Sequence, residues 1–218
     1  MAKKKLQRIA ELLSFPNVYQ FRHDLKGRWG EMVFKNDHPI TLELACGKGE
    51  YTLGLARRYP HRNFIGIDIK GPRLWRGAKT ALEEGRTNAC FLRTYIDFLT
   101  DYFETGEVHE IWIVFPDPYP NKPKEKKRLT ARPFLERYRA VLVPGGLLHL
   151  KTDDDNFYEY SLESIRAFGG TILQAVSDIY ACEGLEEEVT GIRTFYEAQH
   201  LAAGKKIKYV RFRLPSYE

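Results

Sequence analysis

The chain has 218 residues, of which 43% are hydrophobic and 29% are charged, and its formal net charge is +5. These values are typical of one soluble globular domain. The excess of positive over negative charge is modest, so the location of the cations is more informative than their number. No apolar run is long enough to cross a bilayer, and the basic N-terminus lacks the apolar core of a signal peptide, so we expect a cytoplasmic protein. The three cysteines have no Cys-x-x-Cys spacing, which predicts neither a disulfide framework nor a zinc site.

Residues 1–39 are interpreted as a loop-rich lead-in with a short helix at 7–13, whose aromatic residues are expected to pack over a sheet. From residue 40 onward, strand and helix patterns alternate, which is typical of a parallel sheet with helices on both faces, in one domain spanning residues 40–218. Strands are predicted at 40–45, 63–69, 89–94, 111–115, 147–151, 171–176 and 206–214, and helices at 50–58, 73–84, 133–141 and 156–168.

A Gly-x-Gly turn follows the first of these strands, at residues 47–49. Glycine lets the backbone turn sharply and lets a ligand approach the main chain, but the pattern alone also fits a plain strand–helix turn. Thr52 occupies the position where a dinucleotide site carries its third glycine, which argues against a nicotinamide dehydrogenase. Glu43, inside the strand, suits a cationic ligand such as the amino and sulfonium groups of S-adenosylmethionine.

Asp68 stands at the end of the second strand. An acid there can accept hydrogen bonds from ribose hydroxyls in either a nicotinamide or an S-adenosylmethionine site, and it can equally cap the next helix. Residues 71–80 resemble a phosphate-binding loop only loosely, because the glycine spacing is wrong and the segment reads as helix interior.

The stretch 110–128 is the most informative part of the chain. An unbroken apolar strand ends at Pro116, and further prolines force an exposed loop that cannot continue the sheet. Asp117 is the first ionisable residue after the strand. A carboxylate beside a positive loop at a strand's carboxyl end predicts a site for a polyanionic substrate. The cations of this loop are Lys122, Lys124, Lys126, Lys127 and Arg128.

Acidic residues also follow the fifth predicted strand, at positions 153–155. Three consecutive aspartates point in different directions and no histidine or glutamate completes a site, so we expect no metal. Asp154 or Asp155 is predicted to cap the following helix. The pair Thr194 and Glu197 indicates little by itself and fits an amphipathic turn.

Taken together, these residues resemble the bacterial tRNA (guanine-N7)-methyltransferases over nearly the whole chain. We know of no other family with this set of motifs in this order. The matching parts are residues 25–29, 34–39, 115–120, 126–130 and 151–153, and the Thr194-x-x-Glu197 pair.

The resemblance implies a class I methyltransferase sheet, Rossmann-like and mostly parallel, with one antiparallel C-terminal strand. It implies S-adenosylmethionine bound near Glu43, Gly47 and Asp68, and tRNA as the partner. Asp117 is implied at the reacting base, with cofactor contact as well. Further substrate contacts are implied from the basic loop (Lys124, Lys126, Lys127 and Arg128), from Asp153, and from Thr194 and Glu197.

The chain departs from the family pattern at three points. Tyr95, with Asp97 two residues later, stands where the family usually has an acid or Asn to meet the adenine. Tyr119 replaces the usual Trp after Asp-Pro. Asn121 stands where a lysine is usual, and Lys122 follows, so both are candidates for substrate contact.

Guanine N7 has an in-plane lone pair and no proton at neutral pH, so its methylation needs alignment rather than a general base. Asp117 is predicted to accept the parallel N1–H and N2 donors of guanine, with Asp153 or Glu197 assisting. Two alternatives remain: a class I methyltransferase acting on a small molecule, and a non-catalytic RNA-binding protein on the same sheet.

Overall fold

The structure, a computed structural model, describes residues 2–216, with side chains from residue 5 onward. Eight strands form one sheet in the order β1-β4-β3-β2-β5-β6-β8-β7. Strand β8 is antiparallel to β6 and β7, and the other pairings are parallel, as predicted. The strands are β1 (Val18–Tyr19), β2 (Ile40–Leu44), β3 (Asn63–Ile67), β4 (Ala89–Leu92), β5 (Val108–Val114), β6 (Leu142–Thr152), β7 (Thr171–Val176) and β8 (Lys208–Arg213).

Both faces of the sheet are covered by helices. In β5, Ile111 and Ile113 belong to one apolar cluster, whereas Trp112 and Val114 belong to another, so alternate side chains pack on opposite faces. This explains why the strand reads as an unbroken apolar run. The helices are α1 (Ala2–Leu12), α2 (Glu50–Arg58), α3 (Gly71–Glu83), α4 (Leu99–Tyr102), α5 (Arg132–Val141), α6 (Asp155–Ala167), α7 (Glu187–Gly191) and α8 (Phe195–Ala202).

The lead-in packs against the same core as the rest of the chain. Strand β1 pairs with β4 at the sheet edge, and α1 lies against α3. Trp29 is fully buried, stacks on Phe103 with a ring-centroid distance of 5.4 Å, and donates from Nε1 to the Tyr102 carbonyl at 2.8 Å. Trp29 therefore helps to close the core, whereas Phe21 of the lead-in is exposed.

Several predicted bounds differ from the observed ones. Strand β3 ends at Ile67 rather than residue 69, and β6 begins at Leu142 rather than residue 147. Asp154 caps α6 by accepting from the Phe157 amide at 2.7 Å, in agreement with the sequence. Thr194 is the N-cap of the two-turn helix α8, which begins at Phe195. Among residues 2–216, no helix is long and apolar enough to span a bilayer.

Candidate functional site

The carboxyl ends of β2, β3, β4 and β5 open into a cleft of about 420 Å³. These strands are parallel, so the residues that follow them meet at one edge of the sheet. We call this cleft the open side. It brings together five predicted site residues from three separate parts of the sequence: Asp68, Tyr95, Asp117, Lys126 and Lys127.

Backbone strain is concentrated at the open side. Only five non-glycine residues in the described part of the chain have a positive φ, and three of them, Ala45, Phe115 and Tyr119, line this cleft. Such conformations each cost on the order of 1 kcal/mol and persist where the surrounding structure enforces them, commonly at functional sites. The strained residues follow β2 and β5, the two central strands.

The Gly-x-Gly turn leaves room for a ligand in front of it. Gly47 has a φ of +57°, and a Cβ there would meet nothing within 4 Å. Gly49 has a φ of +67°, and a Cβ there would lie 2.4 Å from the Phe91 ring, so only glycine fits. Asp68 accepts from the Gly47 amide at 2.9 Å and from the Lys70 amide at 2.7 Å, which ties the turn to the end of β3.

Glu43 lies beneath the open side rather than in its wall. Its carboxylate is buried and accepts hydrogen bonds from the amide of Thr52, at 2.7 Å, and from the hydroxyl of the same residue. Burial raises the pKa of Glu43 to about 8, although these two hydrogen bonds oppose the rise. Thr52, noticed in the sequence only as a missing glycine, is the direct partner of this carboxylate.

Asp117 is exposed in the cleft wall, directly after the strained Phe115 and the buried Pro116. Tyr95 also lines the cleft and has 56% of its surface exposed, and Asp97 lies in the same wall. Burial is the main cause that raises the pKa of Tyr119, and the nearby Asp117 adds to it. The open side therefore presents carboxylates and an aromatic ring that can receive a ligand.

The basic loop folds as a short 3-10 helix, Lys122–Lys127, whose lysines are exposed. Asn121 and Lys122 stand exposed where this helix begins and do not line the cleft. Two cations of the loop, Lys126 and Lys127, do line it. The loop thus places positive charge at the rim of the open side.

Arg128 differs from the lysines because it is buried and points inward. It donates to the carbonyls of Pro118 at 3.0 Å and Tyr119 at 3.2 Å, and it pairs with Glu125 at 2.8 Å. Its guanidinium also lies 4.2 Å from the centre of the Tyr160 ring. Arg128 therefore braces the loop that carries Asp117, and it has little left to offer a phosphate.

A second group of charged residues is buried inside the protein. We call this buried cluster the closed side. Lys151 and Glu197 are fully buried and joined by two contacts of 2.9 Å. Tyr180 donates to the same carboxylate at 2.8 Å, and Lys151 also donates to the Val189 carbonyl at 2.7 Å. Burial lowers the pKa of Lys151, and the neighbouring Glu197 opposes that shift.

The remaining predicted substrate residues lie near the closed side. Thr194 is largely buried and caps α8 by accepting from the Glu197 amide at 3.1 Å. Asp153 forms ion pairs with Lys205 and with His200, the latter at 3.3 Å if His200 is protonated. The structure therefore does not bring Asp153, Thr194 and Glu197 into the cleft with Asp117, and their contact with a substrate stays a prediction.

Comparison with known proteins gives matches over the whole length of the chain. A family model described as "Putative methyltransferase" matches residues 37–210. A tRNA (guanine-N(7)-)-methyltransferase of Christiangramia forsetii is 52% identical, covering 98% of this chain and 99% of that protein. A protein of the same name from Bacteroides thetaiotaomicron is 44% identical, covering 99% of this chain and 87% of that protein.

A solved structure shares the fold at much lower identity. It is a variant of the 16S rRNA (adenine(1408)-N(1))-methyltransferase from Catenulisporales acidiphilia with cosubstrate SAM. The TM-score is 0.59 with 14% sequence identity, over 88% of this chain and 91% of that chain. This likeness and the strand order confirm the predicted class I methyltransferase sheet.

Proposed function

We propose that this chain, which belongs to the family of tRNA (guanine-N(7)-)-methyltransferases, transfers a methyl group to N7 of a guanine in tRNA. The product would be 7-methylguanosine, and the variable loop is the expected location of the guanine. The observation that carries the proposal is the exposed carboxylate of Asp117, in one cleft with Asp68 and Tyr95 and beside the lysines of the basic loop.

We propose S-adenosylmethionine as the methyl donor, held at the open side. The free space in front of Gly47 and the neighbouring carboxylate of Asp68 fit a nucleoside with two ribose hydroxyls. Tyr95 or Asp97 would contact the adenine. Glu43, which is buried beneath the cleft, would support the cofactor site indirectly through its hydrogen bond with Thr52. Bound there, S-adenosylmethionine supplies a methyl group made electrophilic by its sulfonium sulfur.

In this proposal Asp117 is the catalytic residue. Its two oxygens can accept the parallel N1–H and N2 donors of guanine, which turns N7 on the opposite edge toward the methyl donor. Guanine gains positive charge as N7 is methylated, so a fixed carboxylate stabilises the transition state more than the ground state. No side chain has to remove a proton.

The exposed lysines Lys124, Lys126 and Lys127 are proposed to meet tRNA phosphates, whereas the inward hydrogen bonds of Arg128 give it the bracing role. Asn121 or Lys122 would contact the nucleotide near the target base. Three unpaired cysteines support a reducing compartment, so we place the reaction in the cytoplasm.

Mass spectrometry of nucleosides tests the reaction directly. An unmodified tRNA transcript incubated with the protein and S-adenosylmethionine is expected to yield 7-methylguanosine. A matched transcript with 7-deazaguanosine, which carries carbon in place of N7, should yield no methylated base. Methylation of free guanosine at the same rate would instead favour a small-molecule methyltransferase, and tRNA binding without methyl transfer would favour a non-catalytic RNA-binding protein.

A further inference from the structure

A second groove, of about 990 Å³, lies where α1, α2, α3 and the segment before α8 meet. Its wall contains seven arginine and lysine side chains and one carboxylate, that of Glu50. We call it the basic groove. This charge density far exceeds the average implied by a net charge of +5 over 218 residues.

Two of the seven cations are neutralised within the protein, because Arg57 pairs with Glu84 and Arg58 pairs with Glu187. The other five form no ion pair with any carboxylate among the described side chains. They are Arg8, Lys48, Arg73, Arg76 and Arg193. The positive potential of the basic groove is therefore unbalanced.

Three of these five cations rest on aromatic rings. Arg8 lies 4.6 Å from the Trp75 ring centre, and Lys48 lies 4.3 Å from that of Phe195. Arg193 lies 4.8 Å from the centre of the Tyr180 ring. An aromatic face holds a cation without neutralising its charge, so these side chains remain available to an anion.

The basic groove continues into the open side. Arg73, in the first turn of α3, lines both the groove and the cleft that holds Asp117. In the sheet, β2 lies between β3, which leads to α3, and β5, which leads to the basic loop. The cleft thus has Arg73 of α3 on one flank and Lys126 and Lys127 of the loop on the other.

We propose that the basic groove is a second phosphate-binding surface for tRNA, which contacts the backbone on the side of the target guanine away from the loop. The proposal rests on the proposed function. Arginine suits this role because its planar guanidinium can bind a phosphate through two hydrogen bonds. Residues 71–80 do not form a nucleotide loop, but as helix α3 they present Arg73 and Arg76 to the groove.

Charge reversal of Arg76 and Arg193 tests the groove without altering residues that line the cleft. For the double variant Arg76→Glu/Arg193→Glu, we expect the Kd for a tRNA transcript to rise roughly tenfold or more at about 0.1 M salt. The slope of log affinity against log salt should become shallower by about two, one for each lost phosphate contact. Affinity for S-adenosylmethionine should match that of the wild type.

The matched control is Lys35→Glu/Arg166→Glu, which makes the same charge change at exposed residues outside both clefts. It should keep the wild-type affinity and slope. The neutral variant Arg76→Gln/Arg193→Gln repeats the test if charge reversal unfolds the protein, with a thermal melt to confirm folding. If the double variant has the same tRNA affinity and the same salt slope as the control, the proposal that the basic groove binds tRNA is wrong. The groove would then remain a candidate site for another polyanion. Wild-type protein that neither binds nor methylates tRNA would overturn the proposed function instead.

Discussion

The open side and the closed side present the same chemical group in opposite surroundings. Asp117 is an exposed carboxylate in a cleft, whereas Glu197 is fully buried and bonded to Lys151 and Tyr180. The difference indicates two functions: the exposed carboxylate can bind a substrate, and the buried one holds α8 against the sheet.

The largest effect on stability is expected at the closed side. Replacing Lys151 with methionine leaves the Glu197 carboxylate buried without its counter-charge, and such a loss typically costs about 3–5 kcal/mol. Urea denaturation of Lys151→Met should therefore show a large fall in the free energy of unfolding. The control Lys205→Met removes a half-exposed ion pair with Asp153 and should cost at most about 1 kcal/mol.

A double variant sharpens this result. Lys151→Met/Glu197→Leu removes both charges and should recover part of the lost stability, because no uncompensated charge remains. If Lys151→Met alone unfolds at the same urea concentration as the wild type, the closed side does not stabilise the fold. Glu197 would then be free for a direct role with substrate.

At the open side the expected loss is catalytic. Asp117→Asn keeps the shape but replaces one acceptor oxygen with an amide, so turnover should fall about 10²–10³-fold, as when an electrostatic contact to the transition state is removed. The melting temperature and the affinity for tRNA should stay at wild-type values. Single-turnover rates with saturating tRNA measure the effect, and near-normal rates would remove Asp117 from the catalytic role.

Two neighbouring cations of the basic loop allow a closer comparison. Arg128→Gln should lower kcat/KM roughly tenfold because the backbone that follows Asp117 loses its hydrogen bonds from Arg128, while the salt dependence of tRNA binding stays unchanged. Lys127→Gln should instead make that salt slope shallower by about one. Kinetics and salt titrations of both variants check this, and equal slope changes would show that Arg128 also meets phosphate.

The sequence was sufficient to predict the sheet and most of the open side. Buried parallel strands have a distinctive apolar pattern, and their carboxyl ends must share one edge, so Asp68, Tyr95 and Asp117 had to converge. Asp154 as a helix cap was equally predictable, because capping is a local interaction.

The closed side could not be predicted in the same way. Lys151 meets Glu197, which is 46 residues away, and only the packing of α8 against the sheet brings the two together. Arg128 was also indistinguishable from its neighbours, since a cation in a charge run gives no sign of burial until the proline-rich loop folds. Strand β1 has only two residues, too few for a periodic pattern.

The last comparison concerns Glu43, the buried carboxylate beneath the open side. Burial raises the pKa of Glu43 to about 8, above the 4.5 of an exposed glutamate, so the folded protein binds this proton more tightly than the unfolded chain. The contribution of Glu43 to the free energy of unfolding is therefore most favourable below pH 4.5, and it declines as the pH rises to about 8.

Glu43→Gln, which cannot ionise, should lack this decline. The free energy of unfolding, measured with urea near pH 5.5 and pH 8.5, should fall more with pH in the wild type than in Glu43→Gln. The exposed Glu163→Gln serves as the control and should follow the wild type at both pH values. An equal fall in wild type and Glu43→Gln would mean that Glu43 ionises in the folded protein as readily as in the unfolded chain. The hydrogen bonds from Thr52 would then offset the effect of burial, and the carboxylate would be charged beneath the proposed methyl-donor site.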